Sequence, residues 1–137
     1  MTDFLWPLRV YYEDTDSGGV VYYANYLKFM ERARTEWLRS LGFEQDELAS
    51  KEDVLFAVRR AEVDFHRPAR FNDALTIRTR IAKRGRASLT FEQHVMKDTQ
   101  EGELLCSGRI QVACIEATRF RPRPIPERMM TEIDRVC

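Results

Sequence analysis

The amino-acid sequence predicts an α+β fold in which a five-stranded antiparallel sheet wraps around one long helix. Three observations lead there. Before the C-terminus only residues 24–41 carry helical periodicity at length. Five other stretches are apolar or alternate at strand length, two of them joined across a glycine turn. At 137 residues, with 44% apolar and 11% aromatic residues, the chain is long enough for one core and too short for two, so residues 1–137 are expected to form a single domain. The order is β-α-β-β-β-β with a short C-terminal helix, and wrapping the sheet around the long helix buries both apolar faces at once.

The first strand is expected after Pro7, where Leu8, Val10 and Tyr12 alternate with Arg9 and Tyr11. The periodicity turns helical from about Ala24 to Leu41. Tyr26, Met30, Ala33, Trp37 and Leu41 share one face, widened by Leu27, Phe29 and Leu38, while Arg32 and Glu36 are spaced to pair on the polar side. Gly42 stands where a left-handed cap ends a helix. A polar connector then leads to a strand from Leu55 to Phe65, broken by His66-Arg67-Pro68-Ala69-Arg70, where Pro68 removes a ladder donor. Leu75, Ile77, Thr79 and Ile81 form the inner row of the next strand, and Leu89, Phe91, Gln93 and Val95 that of its hairpin partner beyond Arg84-Gly85-Arg86. Cys106, Gly108, Ile110, Val112 and Cys114 mark the last strand, and an amphipathic helix from about Glu127 closes the chain. Such a sheet keeps two open edges, which a second copy can satisfy, so a homodimer or homotetramer is expected.

The totals exclude several classes of function. Lys plus Arg and Asp plus Glu both count 22, so no net charge draws the chain to nucleic acid, and any anionic ligand must be held by a local patch. The start, Met-Thr-Asp-Phe-Leu-Trp-Pro, has no basic and apolar leader pattern, and no apolar run reaches spanning length; a cytoplasmic protein without a transmembrane segment is expected. Cys106, Cys114 and Cys137 form no C-x-x-C pair, and with two histidines they give no metal-ligand spacing. On one strand Cys106 and Cys114 stand roughly 26 Å apart, too far to bridge, and read as small buried hydrophobes.

The segment Glu13-Asp14-Thr15-Asp16-Ser17-Gly18-Gly19-Val20-Val21-Tyr22-Tyr23-Ala24-Asn25-Tyr26 joins the first strand to the helix. The first N–H groups of a helix lack intrahelical partners and carry the positive end of its dipole, so they can hold an oxyanion. A carboxylate brought back by Gly18-Gly19 can attack or activate water beside that oxyanion. The alternative is that Asp14 and Asp16 only cap a turn.

The string EDTDSGGVVYYANYLKFMERARTEWL resembles the signature of the hot-dog acyl-CoA thioesterases that include 4-hydroxybenzoyl-CoA thioesterase, and most closely their Tol-Pal-associated branch. The likeness continues through Phe65, Pro68-Ala69-Arg70 and Asp73-Ala74-Leu75. It implies the hot-dog fold, hydrolysis of acyl-CoA without a separate cofactor, since CoA is part of the substrate, and links to lipid-synthesis or envelope proteins. It places the catalytic carboxylate on Asp16 and the N–H that polarises the thioester carbonyl on Tyr23, a position where that branch usually has histidine. It also implies that the nucleotide end of CoA is held at the turn between the third and fourth strands of a neighbouring subunit, where this chain offers Lys83, Arg84 and Arg86.

Other residues read as structural. Glu31 and Glu36 lie on the helix surface, His66 and His94 in solvent, and Tyr11, Tyr12, Tyr22 and Tyr26 in core or interface, with a place in the acyl pocket open to them. Two other functions are the alternatives: a hot-dog hydratase or dehydratase, which needs a histidine beside an acid at the helix start, where this chain has none, and a non-catalytic acyl-CoA-binding or scaffold protein. Asp16 at the matching position argues against the second.

Overall fold

The computed structural model describes residues 3–137; Met1 and Thr2, the start of the stretch read as lacking a leader, lie outside it. The elements run β1 (Phe4–Arg9), a 3₁₀ turn (Tyr12–Asp14), α1 (Asn25–Ser40), α2 (Gln45–Glu52), β2 (Val54–Phe65), β3 (Ala74–Arg84), β4 (Ser88–Lys97), β5 (Leu104–Glu116) and α3 (Glu127–Val136). All pairings are antiparallel, in the order β1-β3-β4-β5-β2, which leaves β1 and β2 as the sheet edges. This is the predicted α+β arrangement.

Helix α1 lies across the inner face of the sheet. Tyr26, Phe29, Met30, Ala33, Trp37 and Leu38 are buried against Leu75, Ile77, Leu89, Phe91, Val95 and Ile110. Gly108 sets how close the helix comes: a Cβ built there meets Met30 Sδ at 2.8 Å and Cε at 2.9 Å. Gly42 ends α1 with φ +95°, the left-handed conformation that glycine adopts without steric cost. Cys106 and Cys114 are buried and unbridged on the inner row of β5, and burial pushes the Cys106 thiol up to about 12.

Several expectations are corrected. The first strand spans Phe4–Arg9 and includes Pro7 opposite Thr76; proline fits because β1 is an edge whose outer side needs no donor. Tyr12 lies in the 3₁₀ turn, with 77% exposure. The polar connector contains α2, packed through the buried Leu48 alone, so it shows too little apolar periodicity to be read as a helix. Glu36 pairs with Arg39, one turn on, and not with Arg32. Leu27 is exposed at 42%, off the buried face. His94 is half-buried against Arg78 on the outer face of the sheet; burial first, and then the Arg78 charge, pull its imidazole below the ordinary value.

Candidate active site

Residues 14–22 fold into a tight hairpin. Thr15 bridges Val21, Asp16 N–H donates to Val20 O at 2.9 Å, and Gly19 N–H returns to Asp16 O at 3.0 Å, with Gly19 at φ +79°. Asp14 holds its base. Its carboxylate accepts from Tyr11 N–H at 2.8 Å, and its carbonyl accepts from Tyr22 N–H at 2.9 Å and from the Asn25 side chain at 2.8 Å. The two aspartates therefore have different roles. Asp14 is buried and committed to the backbone, whereas Asp16 is exposed at the hairpin tip, where among the described residues its side chain accepts only the Gly18 N–H, on Oδ1 at 2.8 Å.

The return leg of the hairpin delivers Tyr23 to the start of α1. Asn25, Tyr26 and Leu27 N–H groups bond back to Tyr22, Tyr23 and Ala24 carbonyls at 2.8, 3.4 and 3.1 Å, while among the described residues the Tyr23 N–H has no acceptor. Ala24 at the N-cap offers no side-chain cap, and the first turn of α1 contains no acidic residue, so the positive end of the helix is unopposed from within. The loop after β2 closes the other side: Ala69 N–H donates to the Tyr26 hydroxyl at 3.0 Å, and Ala69 O accepts Val21 N–H at 2.8 Å. Burial raises the Tyr26 phenol, and the Ala69 hydrogen bond offsets part of that rise. A recess of about 270 Å³ lies between these pieces, lined by Val21, Tyr23, Tyr26, Phe65, His66, Arg67 and Pro68.

The structure puts Asp16 at the corner of the hairpin and Tyr23 just past its return leg, and Asp16 stands outside the recess lining. Of Tyr11, Tyr12, Tyr22 and Tyr26, only Tyr26 is in the core; the other three are exposed at 62%, 77% and 45%. His66 lies beside Tyr23 in the recess, with Nε2 held by Ser107 Oγ at 2.9 Å. Lys83, Arg84 and Arg86 are remote within the same chain. They sit at the far end of β3, roughly 33 Å from Ala74 for ten strand steps, and Arg84 is occupied by an ion pair to Asp134 of α3. They can meet the hairpin only if it belongs to another copy.

Two residues near a second cavity were not singled out from the sequence. Arg34 and Gln93 are both buried, Gln93 completely, and share a hydrogen bond of 2.9 Å. The signal was present: Tyr26, Met30, Arg34 and Leu38 form one i+4 ridge, and Gln93 stands in the inner row of β4 among apolar residues.

The chain as a whole is similar to known proteins. The sequence model of the thioesterase superfamily matches residues 18–103, which include Tyr23 and the basic turn and begin just after Asp16. The acyl-CoA thioester hydrolase YbgC of Escherichia coli is 44% identical over 131 residues, covering 96% of both chains. A probable thioesterase from Bartonella henselae superposes with a TM-score of 0.85 at 38% identity, over 91% of this chain and all of the other. A gentisyl-coenzyme A thioesterase, BH1999, superposes with a TM-score of 0.84 at 32% identity, over 94% of this chain and 98% of the other. With a family match over more than half its length and a close relative along nearly all of it, the chain belongs to the thioesterase superfamily, in its hot-dog fold.

Proposed function

We propose that this protein hydrolyses acyl-CoA thioesters to the free acid and CoA, with Asp16 as nucleophile or general base and the Tyr23 amide as the group that polarises the carbonyl. One observation carries the reading: an exposed carboxylate sits on a hydrogen-bonded hairpin whose return leg leads directly to an acceptor-free N–H at a helix start. The thioester oxygen takes the Tyr23 N–H, and the helix dipole stabilises the charge that develops there. Asp16 then either attacks the carbonyl carbon, forming an anhydride that water opens, or draws a proton from water as that water attacks. In both routes the C–S bond breaks, the acyl group gains the water oxygen, and the CoA thiolate is protonated on leaving.

The site is completed by a second copy. The distance of Lys83, Arg84 and Arg86 from the hairpin in one chain supports their service to a neighbour's substrate, and β2 is an open edge carrying Val58 and Phe65 at 54% and 52% exposure. We place the enzyme in the cytoplasm as a homodimer or dimer of dimers, with lipid-synthesis or envelope proteins as candidate associates. No helix among the described residues is long and apolar enough to cross a membrane. His66 beside Tyr23 is the observation that favours a second reading, a hydratase of acyl thioesters. The test is a panel of alkanoyl-, aroyl- and enoyl-CoA substrates followed by thiol release and by loss of the enoyl chromophore. Thiol release is the expected result; hydration without it selects the second reading, and binding without either reaction selects a non-catalytic protein.

A further inference from the structure

A cavity of about 370 Å³ opens between α1, the start of α2 and the β2 side of the sheet, a volume suited to a small organic ligand. Its walls are mainly apolar, with Leu38, Phe56, Val58, Leu89 and Phe91 among them. Arg34 stands in this wall at 8% exposure.

Arg34 is held there by neutral groups. Nη1 donates to Gln93 Oε1 at 2.9 Å, and Gln93 is fixed in that orientation because its Nε2 donates to Met30 O at 3.0 Å and Thr79 Oγ1 at 2.9 Å. Among the described residues no carboxylate pairs with Arg34 and no acceptor meets Nε or Nη2, yet neither nitrogen is sealed in the core, so both open toward the cavity. Burial lowers the guanidinium to about 10, still charged at neutral pH. A buried cation without a counter-charge is costly, and its free fork of N–H groups matches a carboxylate. Glu31, also in the lining, is exposed and acts on Arg34 only through space, so water screens its opposition to an anion.

We propose that this cavity binds an organic carboxylate, with the charged end on Arg34 and the apolar body along Leu38, Phe56 and Phe91. The carboxylate comes either from a free acid or from the far end of an acyl thioester, and only the second source rests on the hydrolase function.

Ligand-observed NMR titration of the intact protein with hexanoate and hexanamide tests the site. Hexanoate should bind at least tenfold tighter than the neutral amide. Arg34→Met should remove that preference, and Glu31→Gln should strengthen hexanoate binding a few-fold. Gln45→Trp, which fills the cavity from the start of α2, away from the β2 edge and without replacing Arg34 or Gln93, should abolish binding of both probes and decides the location if Arg34→Met does not fold. Equal affinity for the two probes, a preference that survives in Arg34→Met, or hexanoate binding unchanged in Gln45→Trp overturns the proposal. Turnover of adipoyl-CoA against hexanoyl-CoA separates the sources. A tenfold loss of kcat/KM on adipoyl-CoA alone in Arg34→Met identifies the thioester's distal carboxylate, and unchanged selectivity alongside lost hexanoate binding identifies a free acid. Asp16→Asn should bind hexanoate as the parent does, so this site and the hydrolytic centre fail independently.

Discussion

Replacing Tyr23 with proline removes one N–H group from the start of α1, and the structure allows the consequence to be worked out. That N–H has no protein acceptor among the described residues, so its loss sacrifices no folding hydrogen bond. The ring is 61% exposed and meets Phe65 edge-on at 6.1 Å and Tyr22 at 4.8 Å, contacts whose removal costs on the order of 1 kcal/mol. Tyr23→Ala makes the same ring deletion and keeps the N–H, so it is the reference. Relative to Tyr23→Ala, the proline variant should fold with similar stability but lose about 100-fold in kcat, or about 2.7 kcal/mol, the scale of one oxyanion-hole donor. Tyr23→Phe and Tyr23→His retain the N–H and should stay within about tenfold of the parent. Circular dichroism and native mass establish assembly, and saturation kinetics on an acyl-CoA give kcat. A folded proline variant as active as Tyr23→Ala refutes the amide's role, and an inactive Tyr23→Phe transfers that role to the phenol.

The remaining predictions concern the frame around the site. Gln93→Leu leaves Met30 O, Thr79 Oγ1 and the Arg34 guanidinium without their partner, and urea unfolding should show a loss of about 3 kcal/mol. Gly108→Val drives its side chain into Met30 and should lower stability by about 2 kcal/mol or more, with Met30→Ala partly restoring it. Arg84→Ala with Arg86→Ala should raise KM for the CoA thioester and spare a truncated thioester lacking the nucleotide, whereas equal losses on both would assign the turn to the fold. The folded Cys106 thiol, at about 12, lies above its ordinary value of 9.0, so the native state keeps a proton that the unfolded chain gives up. Its contribution to stability is whole below pH 9 and is lost as pH rises toward about 12, which unfolding of the parent against Cys106→Ala should show.

The parts of the fold legible in the sequence were those in which one face is buried against one core. Alternation in β3, β4 and β5 and the i+4 ridge of α1 followed from that burial alone. Edges and small elements were not legible for the same reason. Pro7 speaks against a central strand, but β1 is an edge, and α2 buries little beyond Leu48. At the site, the chain order Asp16, Gly18-Gly19, Tyr23 pointed to a turn returning to a helix start, and the hairpin has that form. What the order does not encode is the division of labour between Asp14 and Asp16, which depends on the Asn25 and Tyr22 donors, or the arrival of His66 in the recess with Tyr23, where β5 holds it through Leu105 O and Ser107 Oγ. Arg34 was hidden by its type, because an arginine on a helix is ordinarily a solvated residue.

The most direct test is Asp16→Asn, which keeps size and the hydrogen bond from Gly18 N–H but removes the charge. Stopped-flow and steady-state thiol release on the best substrate of the panel should show turnover at least ~100-fold below the parent. Melting temperature, native mass and affinity for the unreacted acyl-CoA should be preserved. An assembled Asp16→Asn variant that retains most of its turnover would contradict the assignment of Asp16 as the hydrolytic carboxylate.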